Sequence, residues 1–133
     1  MISFDAFNPT DGLPIYLQIL VYIKRGAVAG TIKDGDELPS RRELSALLGI
    51  NPNTVQKAFK ILEDEKLIES RTGAKSSMTL NEGTLRKLKE DLLADDIRGI
   101  VESLKQTGVS LDEAVRLITA HWDDAVSDAE SED

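Results

Sequence analysis

The residues that most constrain this chain are 38–73, LPSRRELSALLGINPNTVQKAFKILEDEKLIESRTG. They hold two helix-start signals and one stop signal, spaced so that only three residues are left between two helices. Ser40 followed by Glu43 is a capping box: the hydroxyl takes one free backbone N–H and the carboxylate reaches back to another. Pro39 disfavours helix at Leu38. The first helix is therefore expected from Arg41, with Leu44, Leu47 and Leu48 on one face. Gly49 tolerates positive φ and ends it. Gly49, Ile50 and Asn51 form the turn, with Ile50 as an apolar plug. Asn51 before Pro52 reads as N-cap and first helical position. Val55, Ala58, Phe59 and Leu62 then fall at i, i+3, i+4 and i+7, a buried stripe. Asn53, Gln56, Lys57 and Lys60 occupy the opposite face.

Two short helices joined by a glycine turn, the second with a polar N-terminal tip, make a helix-turn-helix. In that arrangement the tip of the second helix meets base edges in the major groove of DNA. Asn and Gln pair bidentately with adenine, and a Thr methyl touches a thymine methyl. Arg41, Arg42, Lys57 and Lys60 suit phosphates, and Arg42 also suits guanine. The second helix is expected to end near Glu65 and Lys66. Residues 67–71 then read as a strand, 72–75 as a turn and 76–80 as a returning strand. That hairpin is a wing carrying Arg71 and Lys75 towards the DNA backbone.

With these pieces in place, the stretch from Ile15 to about Gly73 resembles the DNA-binding domain of the GntR family of bacterial transcription regulators. The matching pieces are PIYLQI, GTIKDGDELPS, RRELSALLGI, NPNTVQKAFKILEDEKLIES and RTG. The NPNTVQ and LIE elements and the short chain are most similar to the YtrA-like subfamily. The resemblance implies a winged helix that dimerises and binds an inverted repeat, and control of its own operon with a neighbouring transporter. It also implies DNA contacts at Arg42, Asn51, Asn53, Thr54, Gln56 and Gly73. The chain departs from the family at the wing. Where G-x-G-[ST]-[FY]-V is usual, it has Gly73, Ala74, Lys75, Ser76, Ser77 and Met78.

A formal net charge of −8 is unexpected for a protein that binds nucleic acid, but its distribution is uneven. Residues 1–80 carry ten Lys/Arg and ten Asp/Glu, whereas residues 81–133 carry six and fourteen. The acidity belongs to the C-terminal part, and local field matters more for DNA steering than net charge. A neutral DNA-binding domain binds non-specific DNA weakly, so tight binding needs two copies on one site. With no cysteine, disulfides, thiolate nucleophiles and Cys-ligated metals are excluded. The first residues lack the basic and apolar regions of a secretory signal. No run approaches the roughly 20 apolar residues that span a bilayer. A cytoplasmic protein without membrane association is expected.

Residues 1–11, with Ile2, Phe4 and Phe7, are expected as an edge strand or an arm packed on the domain or its partner. A helix starting at Leu13 and Pro14 buries Ile15, Ile19, Leu20 and Ile23 and stops at Gly30. Thr31 and Ile32 read as a short strand, and Asp34, Gly35 and Asp36 as a turn. Beyond the wing, Asn81 to Thr84 is a break with a fresh N-cap. Leu85, Leu88, Leu92, Ile97, Ile100, Val101 and Leu104 follow at helical spacing, predicting one helix over 85–106, a rod of roughly 33 Å. Gly108 ends it. Ser110 and Glu113 form a second capping box, opening a last helix with Leu111, Ala114, Val115, Ile118 and Trp122 on its apolar stripe. Two helices on a short loop cannot bury both stripes in each other. Each buried Leu or Ile contributes about 1.5–3 kcal/mol, so the stripes are expected to pair with a second copy. The dimer contacts expected are Leu88, Leu92, Ile97, Val101, Leu104, Val115, Ile118 and Trp122. A twofold dimer suits half-sites about 34 Å apart per helical turn.

The predicted fold is mainly α with a small β-wing. A winged helix-turn-helix domain spans 1–80, a two-helix dimerisation region 81–126, and an acidic disordered tail 127–133. His121 beside Asp123 and Asp124 reads as a surface or interface histidine, because neighbours on a helix do not converge on a metal. Asp95 and Asp96 point about 100° apart on a helix, as a solvated pair does. No nucleotide-binding glycine loop, nucleophile–His–acid set or metal-spaced cluster occurs in the sequence. No catalysis, metal or cofactor is expected. The function read from the sequence is a repressor that binds double-stranded operator DNA as a homodimer, with no effector identified. The alternative is a winged-helix module for protein interaction without specific DNA binding.

Overall fold

The computed structural model describes residues 1–10, 12–70 and 75–131, with side chains through residue 124. Its elements in chain order are α1 (Ile15–Ala29), α2 (Arg41–Leu48), α3 (Pro52–Asp64), β1 (Ile68–Ser70), β2 (Ser76–Met78), α4 (Glu82–Gln106) and α5 (Leu111–Ser131). The chain divides into two compact units, Met1–Leu92 and Leu93–Asp133.

In the first unit the helix-turn-helix forms as its caps dictate. Ser40 Oγ accepts from the Glu43 N–H at 3.1 Å. Gly49 closes α2 in the left-handed region at φ +65. Asn51 Oδ1 accepts from the Asn53 N–H at 2.8 Å, and Pro52 occupies the first turn of α3. Ser45 then ties the turn together, its hydroxyl donating to Ile50 O at 2.6 Å. Replacing Ser40 by Ala should cost about 1 kcal/mol of stability, the usual worth of such a cap. Urea unfolding followed by circular dichroism would measure it, and an unchanged midpoint would show that α2 does not depend on its cap.

Val55, Ala58, Phe59 and Leu62 are all buried, and with Ile19, Ile23, Leu38 and Leu44 they form the centre of the core. Leu47, expected on the buried face of α2, is 62% exposed. An eight-residue helix meets its neighbour on one narrow stripe, which Leu44 fills and Leu48 only edges. The N-terminal residues are an arm and not a strand. Ile2 and Phe4 are buried, and Phe4 stacks on Tyr22 of α1 at 5.0 Å. Gln18 of α1 holds the segment down. Its Oε1 accepts from the Thr10 N–H, and its Nε2 donates to Thr10 O and Leu13 O.

β1 and β2 pair antiparallel, with Ile68, Glu69 and Ser70 opposite Met78, Ser77 and Ser76. The strand expected at Thr31 and Ile32 does not form. Ile32 instead tucks under α1, its N–H on Gly26 O at 3.0 Å. The pairing lies further on: Glu37 bridges to Ser77, and the N–H groups of Leu38 and Met78 bond to Ser76 O and Asp36 O. β2 is therefore flanked on both edges, and all three of its residues are buried. Ser77 stands, buried, at the position where the family usually has an aromatic.

α4 begins three residues before the predicted start. Asn81 Oδ1 accepts from the Thr84 N–H at 2.9 Å, so Asn81 is the cap and Glu82 to Thr84 are helical. Leu88 is buried in the first unit's core and Leu85 packs against it. The boundary expected at residue 80 thus moves to residue 92, because the first turns of α4 complete that core. In the second unit, Gly108 at φ +76 closes α4, and the Glu113 N–H donates to Ser110 Oγ at 3.2 Å to open α5. α5 continues to Ser131, through most of the tail expected to be disordered; no Gly or Pro after Gly108 interrupts it, and 132–133 lie outside the described residues. Among the described residues, no helix is long and apolar enough to cross a membrane.

Candidate nucleic-acid interface

The capping that starts α2 and α3 leaves part of their N-terminal turns open to solvent. Arg42 follows Ser40 by two residues and is exposed; Asn53 and Gln56 are exposed on α3, and Thr54 is half-buried. Among the described residues, the side chains of Arg42, Asn53 and Gln56 make no hydrogen bond or ion pair. Asn51 is committed in part, since its Oδ1 caps α3 while its amide NH2 stays available. Arg42, Asn53 and Gln56 are thus hydrogen-bonding side chains on helix ends, open to solvent and without a protein partner among the described residues.

The other cations of the two helices are engaged. Arg41 Nη2 lies 3.4 Å from Glu63 Oε1, and its guanidinium sits 5.6 Å from the Phe59 ring centre. Lys57 Nζ lies 4.0 Å over the ring of Tyr16 in α1. Lys60 Nζ is 3.6 Å from Asp64 on the next turn. The Lys60 pair is exposed and worth little, so it yields readily to a phosphate. Lys57 keeps an exposed ammonium whose position on α3 is set by the Tyr16 ring. Lys75 is exposed at the start of β2, its Nζ 3.9 Å from Met1 Sδ. Arg71 and Gly73, expected at the wing tip, lie outside the described residues. The sequence reasoning missed Glu63 and Tyr16 as partners of Arg41 and Lys57. The partners come from α1 and the far end of α3, and no local spacing announces such tertiary pairs.

In the second unit the apolar stripes find no cover. Leu93, Ile97, Ile100, Val101, Leu111, Val115, Leu117, Ile118 and Trp122 are all exposed, Trp122 by 70%. Leu104 is half-buried and Ala114 is buried. Leu92, the last residue of the first unit, is half-buried. Leu88, expected at the dimer face, is committed to the first unit's core instead. His121 is exposed, with Nδ1 3.3 Å from Asp124 Oδ2.

The model of the bacterial regulatory proteins of the gntR family matches residues 15–75. The HTH-type transcriptional repressor YtrA of Bacillus subtilis (strain 168) is 42% identical over 98 residues, covering 69% of this chain and 73% of that protein. This chain belongs to the GntR family. Two solved structures share the architecture beyond the matched domain. A GntR family transcriptional regulator from Listeria monocytogenes superposes with a TM-score of 0.75 at 28% identity, over 84% of this chain and 98% of that one. A transcriptional regulator from Oenococcus oeni gives 0.68 at 31% identity, over 88% and 98%. The chain is thus a YtrA-like GntR transcription regulator, with the family's winged-helix DNA-binding domain followed by helices. Placed in this family, the helix-turn-helix is part of the DNA-binding domain, and the embedded Ser77 is this chain's variation on the GntR wing.

Proposed function

We propose that this GntR regulator is a cytoplasmic repressor that binds an inverted-repeat operator as a homodimer. Arg42, Asn51, Asn53, Thr54 and Gln56 read the bases of each half-site, and Lys57, Lys60, Arg71, Gly73 and Lys75 meet the backbone. The observation that carries this reading is the solvent-exposed set of Arg42, Asn53 and Gln56, without protein partners among the described residues, near the N-terminal ends of α2 and α3. Desolvating such groups is unfavourable unless a partner supplies the missing bonds, and base edges in a major groove supply them in this geometry. Repression is supported by the B. subtilis relative, which is a transcriptional repressor. The dimer is supported by the uncovered apolar side chains of α4 and α5; Leu92, Ile97, Val101, Leu104, Val115, Ile118 and Trp122 are its proposed contacts.

The test is binding to the DNA upstream of the protein's own gene, at near-physiological salt with excess competitor DNA. Arg42→Ala should weaken the specific complex by about tenfold to a hundredfold, the worth of one bidentate base contact. Affinity should also fall steeply with salt. Binding that ignores both the substitution and the salt would instead favour the interaction-module alternative. So would failure to retain any fragment from a genome-wide pool.

A further inference from the structure

Glu63 stands in the last turn of α3, where nothing in the sequence marks it as special. Its Oε1 accepts from Arg41 Nη2 of α2 at 3.4 Å and from the hydroxyl of Ser70, the last residue of β1. One carboxylate thus joins three elements: the start of the first helix of the motif, the end of the second and the root of the wing. Between Glu63 and Ser70 the chain reverses through Lys66, a non-glycine residue at φ +62. The reversal is itself tied down, with the Leu67 N–H on Leu62 O and Thr79 Oγ1 donating to Lys66 O. Arg41 lies against the protein. Its guanidinium sits by the Phe59 ring, and its Nε is buried without a hydrogen-bond partner. A cation turned inward in this way is poorly placed to meet a phosphate.

We propose that Glu63 is a positioning residue for DNA recognition. Its carboxylate, held by Arg41 and Ser70, fixes the wing root against the two helices of the motif, and Arg41 works inside this clamp and not on the DNA backbone. The proposal rests on the reading that this face binds DNA. Ser70 immediately precedes 71–74, the segment that carries Arg71 and Gly73. A wing whose root is already held loses less freedom when it docks, and that ordering cost otherwise subtracts from affinity. Charge alone makes the opposite prediction. Glu63 is an acid near a polyanion, and removing it should tighten binding. The sign of the effect therefore separates the two accounts.

The experiment uses the full chain and a duplex selected from a random-sequence pool by the wild-type protein. Glu63→Gln should weaken binding by about threefold to fivefold, the scale of a half-exposed ion pair. Arg41→Ala should weaken it similarly, leave the slope of log affinity against log salt unchanged, and add nothing when combined with Glu63→Gln. Arg42→Ala, as the control, should weaken binding whatever happens at Glu63. In the free protein, Glu63→Gln and Ser70→Ala should speed amide deuterium exchange at Ser70 and Ser76 while sparing α1. This arm needs no DNA and also shows that the variants fold. Tighter binding by Glu63→Gln, or a salt slope lowered by about one unit in Arg41→Ala, would overturn the clamp and make Arg41 a phosphate contact. Unchanged exchange at the wing root would overturn it as well. Indifference of binding to Arg42→Ala would overturn the DNA-binding reading on which it stands.

Discussion

Replacing Ile97 and Ile118 together by Glu should turn the protein into a monomer of 14.6 kDa and lower its operator affinity by a hundredfold or more, about the gain that linking two half-site contacts provides. Both side chains are large, apolar and exposed, at 56% and 44%. In a lone chain their replacement should leave the first unit's core intact. In a dimer each Glu would have to be buried without a partner or would hold the interface apart. Nine exposed apolar side chains lie between Leu93 and Trp122. At roughly 1.5–3 kcal/mol for each one fully covered, they are sufficient to offset the ordering cost of association. Sedimentation equilibrium would report the mass, and titration of operator DNA the affinity. A variant that stays dimeric would move the interface elsewhere on the molecule. A monomer that keeps full affinity would show that one winged helix suffices.

The second large effect falls on stability. Phe59→Ala should remove about 3–5 kcal/mol, the usual cost of deleting a buried aromatic ring. Small domains have only about 5–15 kcal/mol in total. Phe59 is 1% exposed and heads the fully buried side chains by volume. It packs where α3 meets its neighbours, and Arg41 lies against its ring. The melting temperature should fall by about 12–40 °C at 4–8 °C per kcal/mol, with DNA binding lost in parallel. Leu47→Ala, on the exposed side of α2, should change it by no more than about 4 °C, the scale of an ordinary surface substitution. Thermal unfolding followed at 222 nm measures both. A drop below about 5 °C for Phe59→Ala would mean that the core closes over the space left behind.

The helix-turn-helix was legible because its signals are local. Ser40, Gly49, and Asn51 with Pro52 each act within one turn of chain: Ser40 Oγ caps α2 on the Glu43 N–H, Gly49 closes α2, and Asn51 caps α3. The buried stripe of α3 follows from period alone. Arg42, Asn53 and Gln56 stand exposed as expected. The failures have a common cause. Leu47 obeys helical spacing, yet an eight-residue helix offers the core one narrow stripe. Thr31 and Ile32 have strand-like composition, but a strand needs a partner, and β2 had its second edge taken by residues 35–38. Leu88 and Ile97 belong to one predicted helix, and the sequence has no mark for where the first core ends and the exposed surface begins.

The side-chain partners were likewise beyond reach. Arg41, Lys57 and Lys60 look alike as cations near a recognition helix. Only Lys60 has its acid at the i+4 spacing that local reading can find. Glu63 lies 22 positions along the chain from Arg41, and Tyr16 lies in α1, outside the motif that holds Lys57, so local spacing announces neither partner. What the sequence determined alone was therefore the set of things decided within a few residues. These are where helices start and stop, which face of each is apolar, that the acidity lies beyond the wing, and that residues 15–73 carry the pattern of a GntR DNA-binding domain. Tertiary structure decided how those faces were used: which leucines were buried, which strand edge was filled, and which cations remained free. The physical reason is range. Caps and turns are settled by neighbours along the backbone, whereas burial and ion pairing depend on which distant side chain the fold brings within a few ångströms.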